Sequence, residues 1–89
     1  MQKFSLGRTV ATPAALGELD RLGVNPLLIL GMHAQLERGA LDADDHAANE
    51  RAVQDGSRVF SAYIVGGTKF WCITEHDRSY TTILLPSEY

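Results

Sequence analysis

The hydrophobic period of the chain changes once, near Arg58. Before it, apolar residues recur every three or four positions between capping residues and glycines. After it, they run in short β-branched and aromatic stretches separated by turn formers. In the first part Thr12 is placed to cap a helix that opens with Pro13, carries Leu16, Leu19 and Leu22 on one stripe, and stops at Gly23. Gly17 weakens that helix. The same opening recurs at Asn25 and Pro26, with Gly39 as the expected end and a broad apolar face of Leu27, Leu28, Ile29, Leu30 and Leu36, which predicts the most buried helix of the chain. A third helix is expected after Asp42, with Asp44 and Asp45 in the first turn where the helix dipole favours carboxylates, a face of Ala48, Ala52 and Val53, and Gly56 beyond its end.

The second part reads as three strands, "RVFSAYIV", "KFWCITE" and "YTTILLP", joined by "GGT" and "HDRS". Alternation places Phe60, Ala62 and Ile64 on one face of the first strand and Val59, Ser61, Tyr63 and Val65 on the other; on the second strand, Trp71 and Ile73 oppose Phe70 and Cys72. Lys3 to Thr12 has no helical period and predicts a short strand or extended arm. The expected fold is therefore α+β: two or three N-terminal helices packed on a C-terminal three-stranded antiparallel β-meander, with the N-terminal strand able to join at an edge.

Composition narrows the classes. Eighty-nine residues suit one domain, 1–89, and 45% apolar with 21% charged residues is an ordinary globular balance. A formal charge of −3 argues against a general nucleic-acid binder, which needs a basic surface, and directs attention to protein partners. Cys72 is the single cysteine and cannot form an internal disulfide, which fits a reducing cytoplasm; no apolar run approaches the ~20 residues of a spanning helix, so no membrane association is expected.

Few residues carry candidate chemistry. Asp42, Asp44 and Asp45 have the alternation that opens a calcium loop, but Ala47 and Val53 stand where such a loop needs glycine and glutamate, and helix capping accounts for the acids. His33, His46, Cys72 and His76 show no paired metal-ligand spacing, so neither metal nor cofactor is expected. Cys72 reads as a small buried hydrophobe, and His33 as a boundary residue with its polar edge outward.

The one cluster with a catalytic appearance is "TEHDRS", where Glu75 and His76 could exchange a proton while Arg78 steadies an anion. The competing reading is a turn, with Asp77 and Ser79 bonding neighbouring amides and Arg78 pairing with Glu75 or a helix carboxylate. Tyr63, Phe70, Trp71, Tyr80 and Tyr89 are many aromatics for a small sheet and suggest an attachment surface.

The stretches "GRTVATPAAL", "DADDHAANERAV" and "SAYIVGGTKFWCITEHDRSYTTILLPSEY" resemble a group of short uncharacterised bacterial proteins of plasmids and mobile elements, some labelled type I restriction subunit. The likeness is most specific around "TE-x-DRS-x-TTILLP-x-EY" and implies no catalytic residue. The group usually carries a small residue where His76 stands and a basic or polar one where His46 stands, which counts against histidine chemistry.

The resulting expectation is a non-enzymatic cytoplasmic accessory protein of a mobile genetic element, acting by protein–protein binding and able to homodimerise. Its partner surface is expected to draw on Tyr63, Trp71, Tyr80, Arg78, Asp42, Asp44 and Asp45. In a sharper version, Asp42, Asp44, Asp45 and Glu50 imitate DNA phosphates toward a host restriction or CRISPR complex. The alternative is a small nuclease or toxin centred on Glu75, His76 and Arg78.

Overall fold

A computed structural model describes residues 2–89. Its elements are β1 (Arg8–Ala11), α1 (Pro13–Leu22), α2 (Pro26–Ala34), α3 (Ala43–Asp55), β2 (Val59–Val65), β3 (Thr68–Thr74) and β4 (Tyr80–Leu84), followed by a 3₁₀ turn at Pro86–Glu88. The chain is thus α+β, with three helices. Its sheet is four-stranded and mixed, in the order β1-β4-β3-β2, rather than a three-stranded antiparallel meander alone: the N-terminal strand takes the edge place open to it, and does so in parallel. β2, β3 and β4 do pair antiparallel in sequence order, and β1 adds parallel to β4 with Arg8 opposite Tyr80 and Ala11 opposite Ile83.

The helix starts follow the capping residues. The Thr12 hydroxyl accepts from the Ala15 amide at 3.1 Å, the Asn25 side chain from the Leu27 amide at 2.9 Å, and the Asp42 carboxylate from the Asp45 amide at 2.8 Å. Each satisfies one of the amides that a helix start leaves free. The end of α2 departs from expectation. It closes at Ala34, five residues short of Gly39, because Leu36 takes a left-handed conformation (φ 58°) and the chain turns back with Leu36 N–H on the His33 carbonyl and Glu37 N–H on that of Met32. Gly39 has another role: a Cβ there would strike the Tyr63 ring and the Ala62 carbonyl, so glycine lets the loop press against β2.

Residues of α1 and α2 cover one face of the sheet, the one that alternation assigns to Val59, Ser61, Tyr63 and Val65. Ala15, Leu19, Ile29 and Leu30 from the helices meet Tyr63, Phe70, Cys72 and Ile83 from the strands in one buried cluster. α2 is less buried than its composition suggests, since Leu27 and Leu28 are exposed. α3 lies along the free edge of β2. The buried Asn49 side chain accepts from the Phe60 amide at 3.0 Å and donates to the Phe60 carbonyl, and the Ala40 amide donates to the Ala62 carbonyl at 2.8 Å. Three of the backbone groups on that edge, Phe60 N–H and C=O and Ala62 C=O, are thereby paired. Asn49 and Ala52 are the buried residues of α3, while Ala48 is exposed.

Candidate functional site

A chain of hydrogen bonds runs through the polar part of the core. His33, expected at the boundary, is fully buried on α2, with Nδ1 2.7 Å from the Ser61 hydroxyl and Nε2 2.8 Å from that of Thr74. The Thr74 hydroxyl lies 2.6 Å from that of Thr81, which donates to the Leu6 carbonyl at 2.7 Å. The last bond fixes the direction of the rest. Thr81 gives its proton to Leu6 and so accepts from Thr74. Thr74 in turn accepts from Nε2–H, and because burial disfavours a second proton on the ring, Nδ1 accepts from Ser61. His33 is therefore neutral, with the proton on Nε2. Burial, with a smaller contribution from the Arg78 cation, lowers its pKa to about 4. The Phe4 ring packs edge-on against the imidazole at 5.2 Å, closing the N-terminal arm over it.

Arg78 supports the turn by a route other than an ion pair. It stands in the β3–β4 connection in a left-handed conformation (φ 59°). Its guanidinium donates to the carbonyls of Ser57 at 2.6 Å, Ala52 at 3.0 Å and Glu75 at 3.2 Å, with no carboxylate partner among the described residues. Carbonyls at a helix C-terminus carry partial negative charge; that of Ala52 accepts from the Gly56 amide at 3.0 Å and keeps a second lone pair, and the last turn of α3 has no basic residue of its own. Arg78 supplies that cation from the sheet. Asp77 accepts from the Ser79 amide at 3.0 Å, as a turn former does. Glu75 instead faces Arg58 at 3.7 Å, and His76 is exposed. Of the candidate catalytic trio, Glu75 thus faces Arg58, Arg78 is bonded to backbone carbonyls and His76 is exposed.

Other candidates are also accounted for. Tyr63, expected on the partner surface, is 2% exposed, its hydroxyl donating to the Glu37 carbonyl at 2.9 Å and its pKa pushed up to about 12 by burial. Phe70 is fully buried, as is Cys72, whose thiol burial raises to about 12, leaving it protonated and poorly nucleophilic. Asp42 is spent on its cap, while Asp44, Asp45 and Glu50 are exposed on α3 beside the exposed Arg51. Among the described residues, no group of three or more His, Cys, Asp or Glu side chains is placed to hold a metal ion. No helix there is long and apolar enough to cross a membrane.

What remains is the outward face of the sheet, opposite α1 and α2. The register puts Phe60, Ala62 and Ile64 of β2 beside Lys69, Trp71 and Ile73 of β3, then Tyr80, Thr82 and Leu84 of β4, with Arg8 and Val10 of β1 beyond. The Trp71 ring meets the Phe60 ring at 4.9 Å and the Tyr89 ring at 5.5 Å, both edge-on, and Arg58 donates to the Tyr89 hydroxyl at 3.3 Å. The C-terminal turn thus folds over part of this face. Its Glu88 carboxylate accepts from the Thr12 hydroxyl at 2.7 Å and the Leu85 amide at 2.8 Å. Ile64 is 62% exposed and Tyr80 43%, and Lys69 and Arg8 stand free at opposite corners. Of the residues expected to bind a partner, Trp71 and Tyr80 lie on this face. Ile64, Lys69 and Thr82 were missed, although their places follow from the period-two alternation. Comparison with protein-family models, with curated proteins and with solved structures returns no match.

Proposed function

We propose that the protein is a non-enzymatic protein-binding module whose recognition surface is the outward face of the sheet around Ile64, Lys69, Trp71, Tyr80 and Thr82. One observation carries this reading: α1 and α2 pack on the other face, and on this one, around the buried Ala62, Ile73 and Leu84, the side chains of Ile64 and Tyr80 stand in water. Aromatic residues with an apolar centre and a sparse charged rim suit protein recognition. Because the free rim charges, Lys69 and Arg8, are cations, the partner segment is apolar with acidic flanks. Two isolated cations in a chain of net charge −3 are too few for a nucleic-acid backbone.

The sequence resemblance suggests a cytoplasmic accessory role in a mobile element, with a host restriction or CRISPR complex as the partner. The version of that role built on phosphate imitation depends on Asp44, Asp45 and Glu50, and the neighbouring Arg51 dilutes their field. The sheet face carries the binding more simply. The nuclease alternative needs Glu75, His76 and Arg78 to converge, and two of the three are engaged elsewhere.

The test is affinity capture from a host lysate with the wild-type chain and with Ile64→Asp/Tyr80→Asp, a double variant at exposed positions that leaves the fold intact. Proteins retained by the wild type and lost from the variant support the reading. An identical retained set from both chains contradicts it.

A further inference from the structure

The two edges of the sheet are treated differently. The β2 edge is met at Phe60 and Ala62 by Asn49 and the Ala40 loop, whereas β1 is a four-residue strand to whose outer side nothing pairs among the described residues. The parallel ladder decides which of its groups are free. Arg8 N–H bonds the Ser79 carbonyl at 3.0 Å and Thr12 N–H that of Ile83 at 3.0 Å, so residues 8, 10 and 12 point their backbone groups at β4. Thr9 and Ala11 therefore point theirs outward. Beside this edge lies a groove of about 330 Å³ lined by Val10, Leu16, Pro26, Leu27 and Ile83. Its rim on the helix side is apolar and open: Leu27 is 69% exposed and Leu16 45%.

We infer that β1 pairs antiparallel with β1 of a second copy about a two-fold axis normal to the sheet, making a continuous eight-stranded sheet. A two-fold of this kind keeps corresponding faces on one side, so each residue must oppose one of equal parity. Four registers centred on β1 meet that condition, but Ala11 opposite Ala11 sets Thr9 against Pro13, which opens α1 and has no N–H to give, and Arg8 opposite Arg8 sets Thr9 against Gly7. With Thr9 opposite Thr9, Ala11 would face Gly7, which has left φ (63°) for a position where a Cβ would strike the carbonyls of Arg78 and Ser79 and so cannot extend the strand.

With Val10 opposite Val10, Thr9 and Ala11 of the two copies exchange four backbone hydrogen bonds. In this register Arg8 stands opposite Thr12 of the second copy, whose hydroxyl holds the Glu88 carboxylate. Among the described residues the Arg8 side chain has no hydrogen-bond or ion-pair partner, while one Glu88 oxygen, Oε1, takes both the Thr12 and Leu85 bonds and leaves Oε2 free. The edge therefore carries a cation and an anion spaced to meet their counterparts on an identical chain. The same rotation sets α1 and α2 of both copies on one side, where Leu16 and Leu27 bury one another. A second copy satisfies the open donors, the groove and the charges together. This inference concerns the strand edge, so its failure leaves the sheet-face reading standing.

Sedimentation equilibrium of the full chain and cysteine cross-linking test it. The wild type is expected to sediment at twice the monomer mass. Val10→Cys, at an exposed position, is expected to form a disulfide-linked dimer when oxidised glutathione removes the two electrons, since facing residues at a non-hydrogen-bonded pair lie about 4.5 Å apart between Cα atoms, within disulfide reach. Thr9→Cys and Ile64→Cys are expected to remain unlinked, and buried Cys72 does not compete. Arg8→Glu is expected to weaken the dimer at least tenfold, with recovery when Glu88→Arg is added in the same chain. A monomeric wild type overturns the inference and leaves the edge to an extended segment of another protein. Cross-linking through Thr9→Cys in place of Val10→Cys overturns the register, and cross-linking through Ile64→Cys alone overturns the choice of edge.

Discussion

His33 shows how one residue joins distant parts of this chain. Its hydroxyl partners, Ser61 and Thr74, lie 28 and 41 positions away in sequence. A histidine in an apolar helix with no visible partner reads as a boundary residue, and only the tertiary pairing of α2 with β2 and β3 reveals two acceptor and donor groups waiting for it. The neutral, buried state carries a pH consequence. A histidine free in the unfolded chain titrates near 6.5, while the folded pKa is about 4. Between these values the unfolded state binds the proton and the folded state does not, so stability is full above roughly pH 6.5 and falls as pH drops toward 4. The loss by pH 4.5 should be about 2 to 3 kcal/mol. Urea unfolding at pH 7.0 and 4.5 measures it, and His33→Gln, which cannot take up the proton, should lose less over the same interval. Equal losses in both proteins would remove His33 from the account.

At the scale of elements, the starts were more legible than the ends and the pairings. Thr12, Asn25 and Asp42 announce their helices because capping is a local interaction. The end of α2 was not legible, because Leu36 takes a conformation usually left to glycine, while Gly39 answers to the Tyr63 ring. The parallel placement of β1 beside β4 was likewise hidden, since local pattern marks a strand without naming its neighbour. α3 draws on a residue outside itself: Arg78 donates to its Ala52 carbonyl and, through that of Glu75, holds the β3–β4 turn in the same act. A left-handed conformation at a non-glycine residue costs roughly 1 kcal/mol, which the three carbonyl bonds offset. Arg78→Gly loses the bonds but relieves the backbone, whereas Arg78→Ala loses the bonds and keeps the strain. Thermal or urea unfolding should therefore rank wild type above Arg78→Gly and Arg78→Gly above Arg78→Ala, the last two separated by about 1 kcal/mol. A glycine variant less stable than the alanine variant would contradict this role.

The whole molecule is a sheet dressed on one side. Helices cover one face and one edge; the other face carries the C-terminal turn and a group of open side chains, and the β1 edge carries unpaired backbone. If two β1 edges join, the outward faces of both copies become one surface, and a partner meets two copies of the same site. The alternation of polar and apolar residues already separated the two faces of β2 and β3, so the surface was half legible in the sequence. Its content was not, because aromatic count alone placed Tyr63 and Phe70 outside when the helices bury both.

The central claim is that this face does the binding. It is tested most directly by NMR chemical-shift mapping of isotope-labelled protein titrated with the partner retained in the capture experiment. The largest shifts are predicted at Ile64, Lys69, the Trp71 indole, Tyr80 and Thr82. Shifts confined to the Glu75–Ser79 turn, or to Asp44, Asp45 and Glu50 on α3, would contradict it.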